Sequence, residues 1–193
     1  GAFWDKENKT WFIPDHKDIN LFSKWIDTEK VSLIAKVPFW LGVTQKTCWK
    51  CNNITEVIAF VSNNFLIYDY SDDDSDIKEW FFQDYFSFFS SPNYIDKEVL
   101  DIVCSRYPFF KLGFSKTVNG KYFANHCKCC GALQGDFFMH EEPGGEFSPI
   151  DMDGYKSITL IEVPYKFDLM IDASHSWASN EKEIFKYIRK SKW

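Results

Sequence analysis

The stretch Cys127-Lys128-Cys129-Cys130-Gly131, read with Cys48-Trp49-Lys50-Cys51-Asn52, decides how this chain is expected to fold. Each is a short loop with two thiols three positions apart, a spacing that lets both sulfurs converge on one tetrahedral metal ion. Four thiolates, from Cys48, Cys51, Cys127 and Cys130, complete a structural site with no open coordination position. The expectation is one structural Zn2+ per chain. In such a knuckle the backbone turns tightly after the second cysteine, with a positive φ, so that amides point at sulfur. Gly131 adopts that conformation without steric cost, and Asn52 is one of the few other residue types that tolerate it. Cys129 adds a third thiol to the second loop. Pairing Cys127 with Cys130 reproduces the spacing of the first loop and puts the glycine in the matching place, so Cys129 reads as a bystander. Disulfides and unrelated buried thiols are the competing readings.

Residues 52–126 separate the two loops, far more than a compact zinc ribbon carries. The cost of closing a loop grows only slowly with its length, so a folded insertion is acceptable. The expected fold is α+β: a zinc-ribbon-like antiparallel β unit with a helical insertion, about 77–107, between the knuckles. At 193 residues the chain is long enough for one good-sized domain or two small ones. The division expected is a small lobe over 1–27 and the knuckle-bearing domain over 28–193.

Aromatic residues make up 19% of the chain, and most must be core, because so many surface rings would aggregate. Others can anchor a partner. The net charge of −6 argues against non-specific grip on phosphates by the chain as a whole. No apolar run approaches the roughly 18–20 residues that span a bilayer, and no signal peptide is visible. Paired cysteines without a signal fit a reducing cytosol. A cytoplasmic protein without membrane contact is therefore expected.

At the front of the chain, Phe3-Trp4-Asp5 leads into a polar turn. Thr10 to Ile13 read as a short aromatic strand stopped by Pro14, and Asp18 as the N-cap of a short helix carrying Leu21, Phe22, Trp25 and Ile26. The pattern formed by Gly1, Ala2, Trp4, Asp5, Lys9, Trp11, Phe12, Ile13 and Pro14, then Phe22 and Trp25, resembles the small DUF5710 domain. That domain occurs beside primase and topoisomerase-primase modules in mobile-element proteins. In the family a strand and helix precede this pattern, so the resemblance implies a truncated lobe here. It implies a context and no reaction. The run from Tyr122 to Phe138 likewise resembles uncharacterised bacterial proteins that pair such a knuckle with a C-W-K-C knuckle, with Cys48, Cys51, Cys127 and Cys130 in the metal positions.

Further along, residues 31–47 read as an apolar strand-like segment, and Thr55–Val61 and Phe65–Tyr70 as strands joined by a turn at Ser62-Asn63-Asn64. The acidic run over 69–76 lacks the periodicity of a calcium loop and reads as solvated. Ile77–Phe89 and Tyr94–Tyr107 read as helices, with Pro92 at the start of the second and Cys104 on its apolar face as a small buried hydrophobe. Asn119-Gly120 marks a hairpin delivering the second knuckle. Gly131–His140 and Ile158–Val163 read as strands, with a turn over 141–145. A terminal helix is expected over 180–190, with Lys182, Lys186, Arg189, Lys190 and Lys192 making the tail basic.

No catalytic constellation emerges. His16, His126, His140 and His175 are scattered, and His140-Glu141-Glu142 lacks the spacing that puts two ligands on one helix face. There is no glycine-rich phosphate loop and no G-x-S-x-G elbow. No small-molecule cofactor is implied. The first reading is a zinc-stabilised binding or adaptor protein with a nucleic-acid or protein partner, working with nucleic-acid machinery of mobile elements. The alternatives are a nuclease or other toxin-like hydrolase with a non-contiguous site, and a pure protein-interaction module.

Overall fold

Residues 54–62, Ile-Thr-Glu-Val-Ile-Ala-Phe-Val-Ser, show no alternation of apolar and polar side chains after Glu56, and the fold explains why. This strand is buried on both faces. The computed structural model describes residues 1–7, 9–14, 16–70, 77–176 and 181–193. In chain order the elements begin with β1 (Phe3–Asp5), β2 (Thr10–Phe12), a 3-10 helix (Ile19–Trp25), β3 (Leu33–Ala35), β4 (Trp40–Thr47) and β5 (Ile54–Ser62). Next come β6 (Phe65–Tyr70), β7 (Lys78–Gln83), β8 (Ser87–Ile95), α1 (Lys97–Arg106), β9 (Phe110–Ser115) and β10 (Gly120–Asn125). A π-helical turn (Phe137–Glu141), α2 (Met152–Lys156), β11 (Thr159–Glu162), β12 (Leu169–His175), α3 (Glu181–Tyr187) and β13 (Arg189–Ser191) complete the chain.

Nine strands form one sheet in the order β13-β11-β4-β5-β8-β12-β3-β6-β7, parallel between β11 and β13 and antiparallel elsewhere. Alternate residues of the central strands feed two cores. Leu41, Ile58, Phe60 and Phe89 pack with Val99 and Val103 of α1. Trp40, Val57, Val61 and Phe88 pack with Met139, Phe147 and Ile184 on the other side. A strand covered on both faces reads as a continuous apolar run. The fold is therefore mixed α+β and mostly strand.

Residues 1–27 contribute the β1–β2 hairpin and the 3-10 helix, which Asp18 caps by accepting from the Asn20 N–H at 2.9 Å. Asn20 ties this segment to β7: its Oδ1 accepts from the Trp80 N–H at 2.7 Å and its Nδ2 donates to the Trp80 carbonyl at 3.2 Å.

The expected helix over 77–89 is absent, and with it the helical insertion over 77–107 as a pair of helices. Lys78–Gln83 and Ser87–Ile95 are strands, and α1 alone is helical there. In β8, aromatic residues on both sides of a doubly covered strand mimic helical burial, whereas β7 is an edge strand with Trp80 buried and Phe82 exposed; in both, the β preference of the rings decides the outcome. Pro92 lies within β8, beside a register shift against β12. It does not start a helix. An irregularity of this kind accommodates a residue that cannot donate to the ladder.

Gly131–His140 is not a strand but a loop leading into the π-helical turn, because the chain must reverse around the second knuckle. Only His126↔Leu133 pairs there, as an isolated bridge. The terminal helix ends at Tyr187, where Ile188 is drawn into the second core and the chain joins β11 as β13. The strands β5 and β6 exist as expected but pair with other strands rather than with each other. Residues 71–76 of the acidic run lie outside the described residues, as does Asn180.

Candidate metal centre

The first knuckle is the connection between β4 and β5, whose ladder runs without a break to Thr47↔Ile54. The second follows β10, which β9 delivers through a hairpin turned at Asn119, φ 53°. Two features dock β10 onto β5. Asn125 is buried and makes both backbone bonds of Ile58, accepting from its N–H and donating to its carbonyl, each at 2.8 Å. The Lys128 N–H donates to the Thr55 hydroxyl at 3.0 Å. The two knuckles therefore meet, although residues 52–126 lie between them.

Their local structures match step for step. The Asn52 N–H donates to the Cys48 carbonyl at 2.9 Å and the Gly131 N–H to the Cys127 carbonyl at 2.8 Å. The Cys48 N–H reaches Asn53 O at 2.9 Å and the Cys127 N–H reaches Ala132 O at 2.8 Å. The amides of Lys50 and Cys129 each approach the first sulfur of their own knuckle at 3.4 Å. Asn52 and Gly131 both have positive φ, 58° and 71°. The first cysteine of each loop, Cys48 or Cys127, is buried, and the second turns toward solvent.

The four sulfurs of Cys48, Cys51, Cys127 and Cys130 lie within 4.8 Å of one another. Cys48 and Cys130 are 3.7 Å apart, as are Cys51 and Cys127. A tetrahedral ion with metal–sulfur bonds of about 2.3 Å places its ligands about 3.8 Å apart. A disulfide needs about 2.05 Å, so these thiols are spaced for an ion and not for each other. Among the described residues this is the one group of three or more metal-binding side chains. Cys129 is exposed and outside it. Cys104, in α1, donates to the Phe110 carbonyl at 3.3 Å.

Around the sulfurs stand donors that sequence reading missed. Gln134, fully buried, donates through Nε2 to Cys48 Sγ at 3.4 Å and to Ala132 O at 2.8 Å. Asn53 Nδ2 donates to Cys51 Sγ at 3.5 Å and to Cys129 Sγ at 3.2 Å. Such groups orient and stabilise thiolate ligands. Nothing in the spacing marks Gln134, because its role depends on the reversal after Gly131.

The electrostatics are uneven. Burial pushes the Cys48 thiol up, but the Cys51 and Lys50 amides and the neighbouring thiols outweigh it and bring it down to about 6. The Asn53 amide lowers Cys51. At Cys130 the Ala132 amide favours the thiolate, yet burial and the adjacent sulfurs push the thiol up to about 12. Four negative sulfurs cannot share this volume unaided, and a divalent cation removes the repulsion. The centre can hold a metal ion, and its four-sulfur donor set suits zinc or iron.

The histidines are dispersed. His126 is buried, with Nδ1 at 3.0 Å from Ala124 O and 3.2 Å from Phe109 O. His140 is buried against the Phe147 ring, and burial lowers its pKa to about 3. His175 contacts the Tyr85 hydroxyl at 3.0 Å. A recess of about 560 Å³ lined by Glu98, Glu162, Tyr165 and Phe167 lies at the opposite end of β4 from the cysteines, where Tyr165 meets Phe39. Among the described residues no helix is long and apolar enough to cross a membrane.

Residues 1–27 match the model of a domain of unknown function, DUF5710. No curated protein and no solved structure matches the chain significantly.

Proposed function

We propose that this chain is a binding or adaptor protein whose fold is held by one structural zinc ion on Cys48, Cys51, Cys127 and Cys130, in a zinc-ribbon-like unit. The observation that carries the reading is the matched pair of knuckles with two sulfur–sulfur distances of 3.7 Å. Four protein thiolates leave no position for water or substrate, so the ion is structural rather than catalytic. Zinc is preferred to iron because a closed tetrahedral set of four thiolates is the commonest donor set of structural zinc sites.

The test is elemental analysis of protein purified without chelator, joined to X-ray absorption at the metal edge. One zinc per chain with about four sulfur ligands near 2.3 Å supports the reading. Iron in its place, or well under half an equivalent of any metal, overturns it. Product formation in a metal-supplemented nuclease assay would favour a hydrolase instead.

A protein-interaction role is the second reading. It is favoured by the exposed Phe3, Trp4, Trp11, Phe12, Leu21 and Trp25, all within residues 1–27. Rings pair across this hairpin, Phe3 with Phe12 and Trp4 with Trp11, yet remain open to solvent on both faces.

A further inference from the structure

We infer that Asn20 and the 3-10 helix it belongs to close the open edge of the nine-stranded sheet, and that β7, once uncovered, pairs antiparallel with β7 of a second copy of this chain. This role stands apart from the metal centre and gives residues 1–27 a task of their own: they keep the chain from associating through its sheet.

The ladder fixes which way the β7 backbone points. β7 is the last strand of the sheet, and β6 is its neighbour. Tyr68 of β6 stands opposite Trp80, and its N–H donates to the Ser32 carbonyl at 2.9 Å, on the far side of β6 from β7. Facing residues in an antiparallel pair alternate between bonding each other and turning their backbone groups away. Tyr68 and Trp80 are therefore a pair turned away from each other. The register runs on without a break, so Lys78 and Phe82 turn their N–H and carbonyl groups outward as Trp80 does.

At Trp80 both outward groups are taken. Asn20 Oδ1 accepts the N–H at 2.7 Å, and Asn20 Nδ2 donates to the carbonyl at 3.2 Å. Asn125 engages Ile58 in the same way, so an amide here again stands in for one residue of a strand. Asn20 is itself held. Asp18 caps its helix, and Ile19 and Ile26 pack against the cluster of Val31, Ile34 and Trp80. Among the described residues no backbone hydrogen bond reaches Lys78 or Phe82 from the outward side. The plug thus occupies the middle of the edge, and an incoming strand gains the central bonds only by expelling the helix.

The two edges of the sheet are protected differently. An open edge is a template for another chain unless charge or a cover blocks it. At the far edge, β13 exposes Arg189 and Lys190, and antiparallel pairing of two such strands sets cation against cation. β7 reads Lys78-Glu79-Trp80-Phe81-Phe82-Gln83. An antiparallel register centred on Trp80 sets Lys78 against Phe82 and Glu79 against Phe81, so no like charges face each other. Its rings favour strand pairing, and Phe82 is already 58% exposed. The strand is therefore complementary to itself, as a two-fold interface requires, and the cover supplied by residues 1–27 does what charge does at β13.

The test compares the full-length parent, Asn20→Ala, Phe82→Pro and the double variant by sedimentation velocity over a range of concentrations. Phe82→Pro removes an outward N–H that β6 does not use, a change that edge strands tolerate. Alone it should leave the parent's mass unchanged. Asn20→Ala should self-associate, its mass rising toward that of a dimer with concentration, and the double variant should return to the parent's mass. Zinc content and circular dichroism are recorded for every variant. Association caused by unfolding would persist beside the proline, because an edge proline does not restore a folding defect. Two results overturn the assignment: Asn20→Ala that keeps the parent's mass at every concentration, or a double variant that associates as fully as Asn20→Ala. Zinc missing from the parent removes the metal reading and leaves the edge assignment standing.

Discussion

Asn125 and Ile58 are joined as two strands would be, although only one of them contributes its backbone. The Asn125 side-chain amide accepts from the Ile58 N–H and donates to the Ile58 carbonyl, both at 2.8 Å. Asn125 is two residues ahead of Cys127, and Ile58 belongs to the strand that leaves the first knuckle. Together with the Lys128 N–H to Thr55 bond, this amide fixes the register between the two cysteine pairs.

Asn125→Ala should be among the most damaging changes outside the cysteines. It leaves a buried N–H and a buried carbonyl of Ile58 without partners, at about 1–3 kcal/mol for each unsatisfied group. A loss of about 2–4 kcal/mol is expected in chemical denaturation, together with weaker zinc retention against a chelator. A stability within about 0.5 kcal/mol of the parent would show that the register is set elsewhere.

The knuckle backbones can be tested apart from their thiols. Gly131 has φ 71°, and a Cβ there would meet nothing within 4 Å. The cost of Gly131→Ala is therefore backbone strain alone, about 1–2 kcal/mol. Asn52, at φ 58°, already tolerates that conformation, and Asn52→Gly should change stability by only a few tenths of a kcal/mol. Thermal midpoints of the two variants at unchanged zinc content decide the matter; a neutral Gly131→Ala would refute the matched geometry.

The pH profile of stability carries two opposing contributions. Burial raises the Asp136 carboxyl to about 7, against the lowering effect of Ser91, whose N–H it accepts at 2.6 Å. Between about 3.9 and that value the folded chain keeps a proton that the unfolded chain has lost, so stability falls as pH rises. Burial lowers His140 to about 3. Between there and about 6.5 the unfolded chain takes up a proton that the folded chain refuses, so stability rises with pH.

In the parent these slopes largely offset each other between about pH 4 and 6.5. Asp136→Asn keeps an acceptor for Ser91 and removes the charge. It should gain on the order of 2–4 kcal/mol near pH 8 and become the more acid-sensitive protein. His140→Phe should be more stable near pH 5 than near pH 8. Proton competition for the thiolates affects all three proteins, so the comparison is made between variants at each pH. Parallel profiles for the three would contradict both assignments.

What the sequence reveals, and what it conceals, follows from the range of the interactions. The knuckles are legible because ligand spacing, Gly131 and Asn52 act within five residues. The Asn119-Gly120 hairpin and the Asp18 cap are legible for the same reason. Residues 86–95 mislead because Phe86, Phe88 and Phe89 are divided between both cores, which erases the two-residue period, and residues 78–83 because β7 is an edge strand that buries Trp80 and leaves Phe82 exposed. The roles of Asn125 and Gln134 depend on partners 67 and 86 positions away and leave no local trace.

The six cysteines divide into two classes that single substitutions to serine separate. Cys48, Cys51, Cys127 and Cys130 form the four-sulfur group, and a serine hydroxyl is a much poorer ligand than a thiolate. Zinc contributes on the order of 10–16 kcal/mol in small metal-folded peptides, against a net stability of about 5–15 kcal/mol for a typical protein. Even a partial loss should unfold or aggregate the chain. Cys129 lies outside the group; it accepts from Asn53 Nδ2 at 3.2 Å and hydrogen-bonds to the Cys51 sulfur, contacts that a serine hydroxyl can also make. Cys129→Ser should therefore keep its zinc and its midpoint. Cys104→Ser should lose about 1 kcal/mol or less, because the hydroxyl inherits the Phe110 carbonyl as its acceptor. Zinc stoichiometry and thermal midpoint across the six variants make the comparison. If Cys129→Ser loses the metal while Cys127→Ser or Cys130→Ser retains it, the second knuckle uses a different pair of sulfurs and the four-thiol assignment falls.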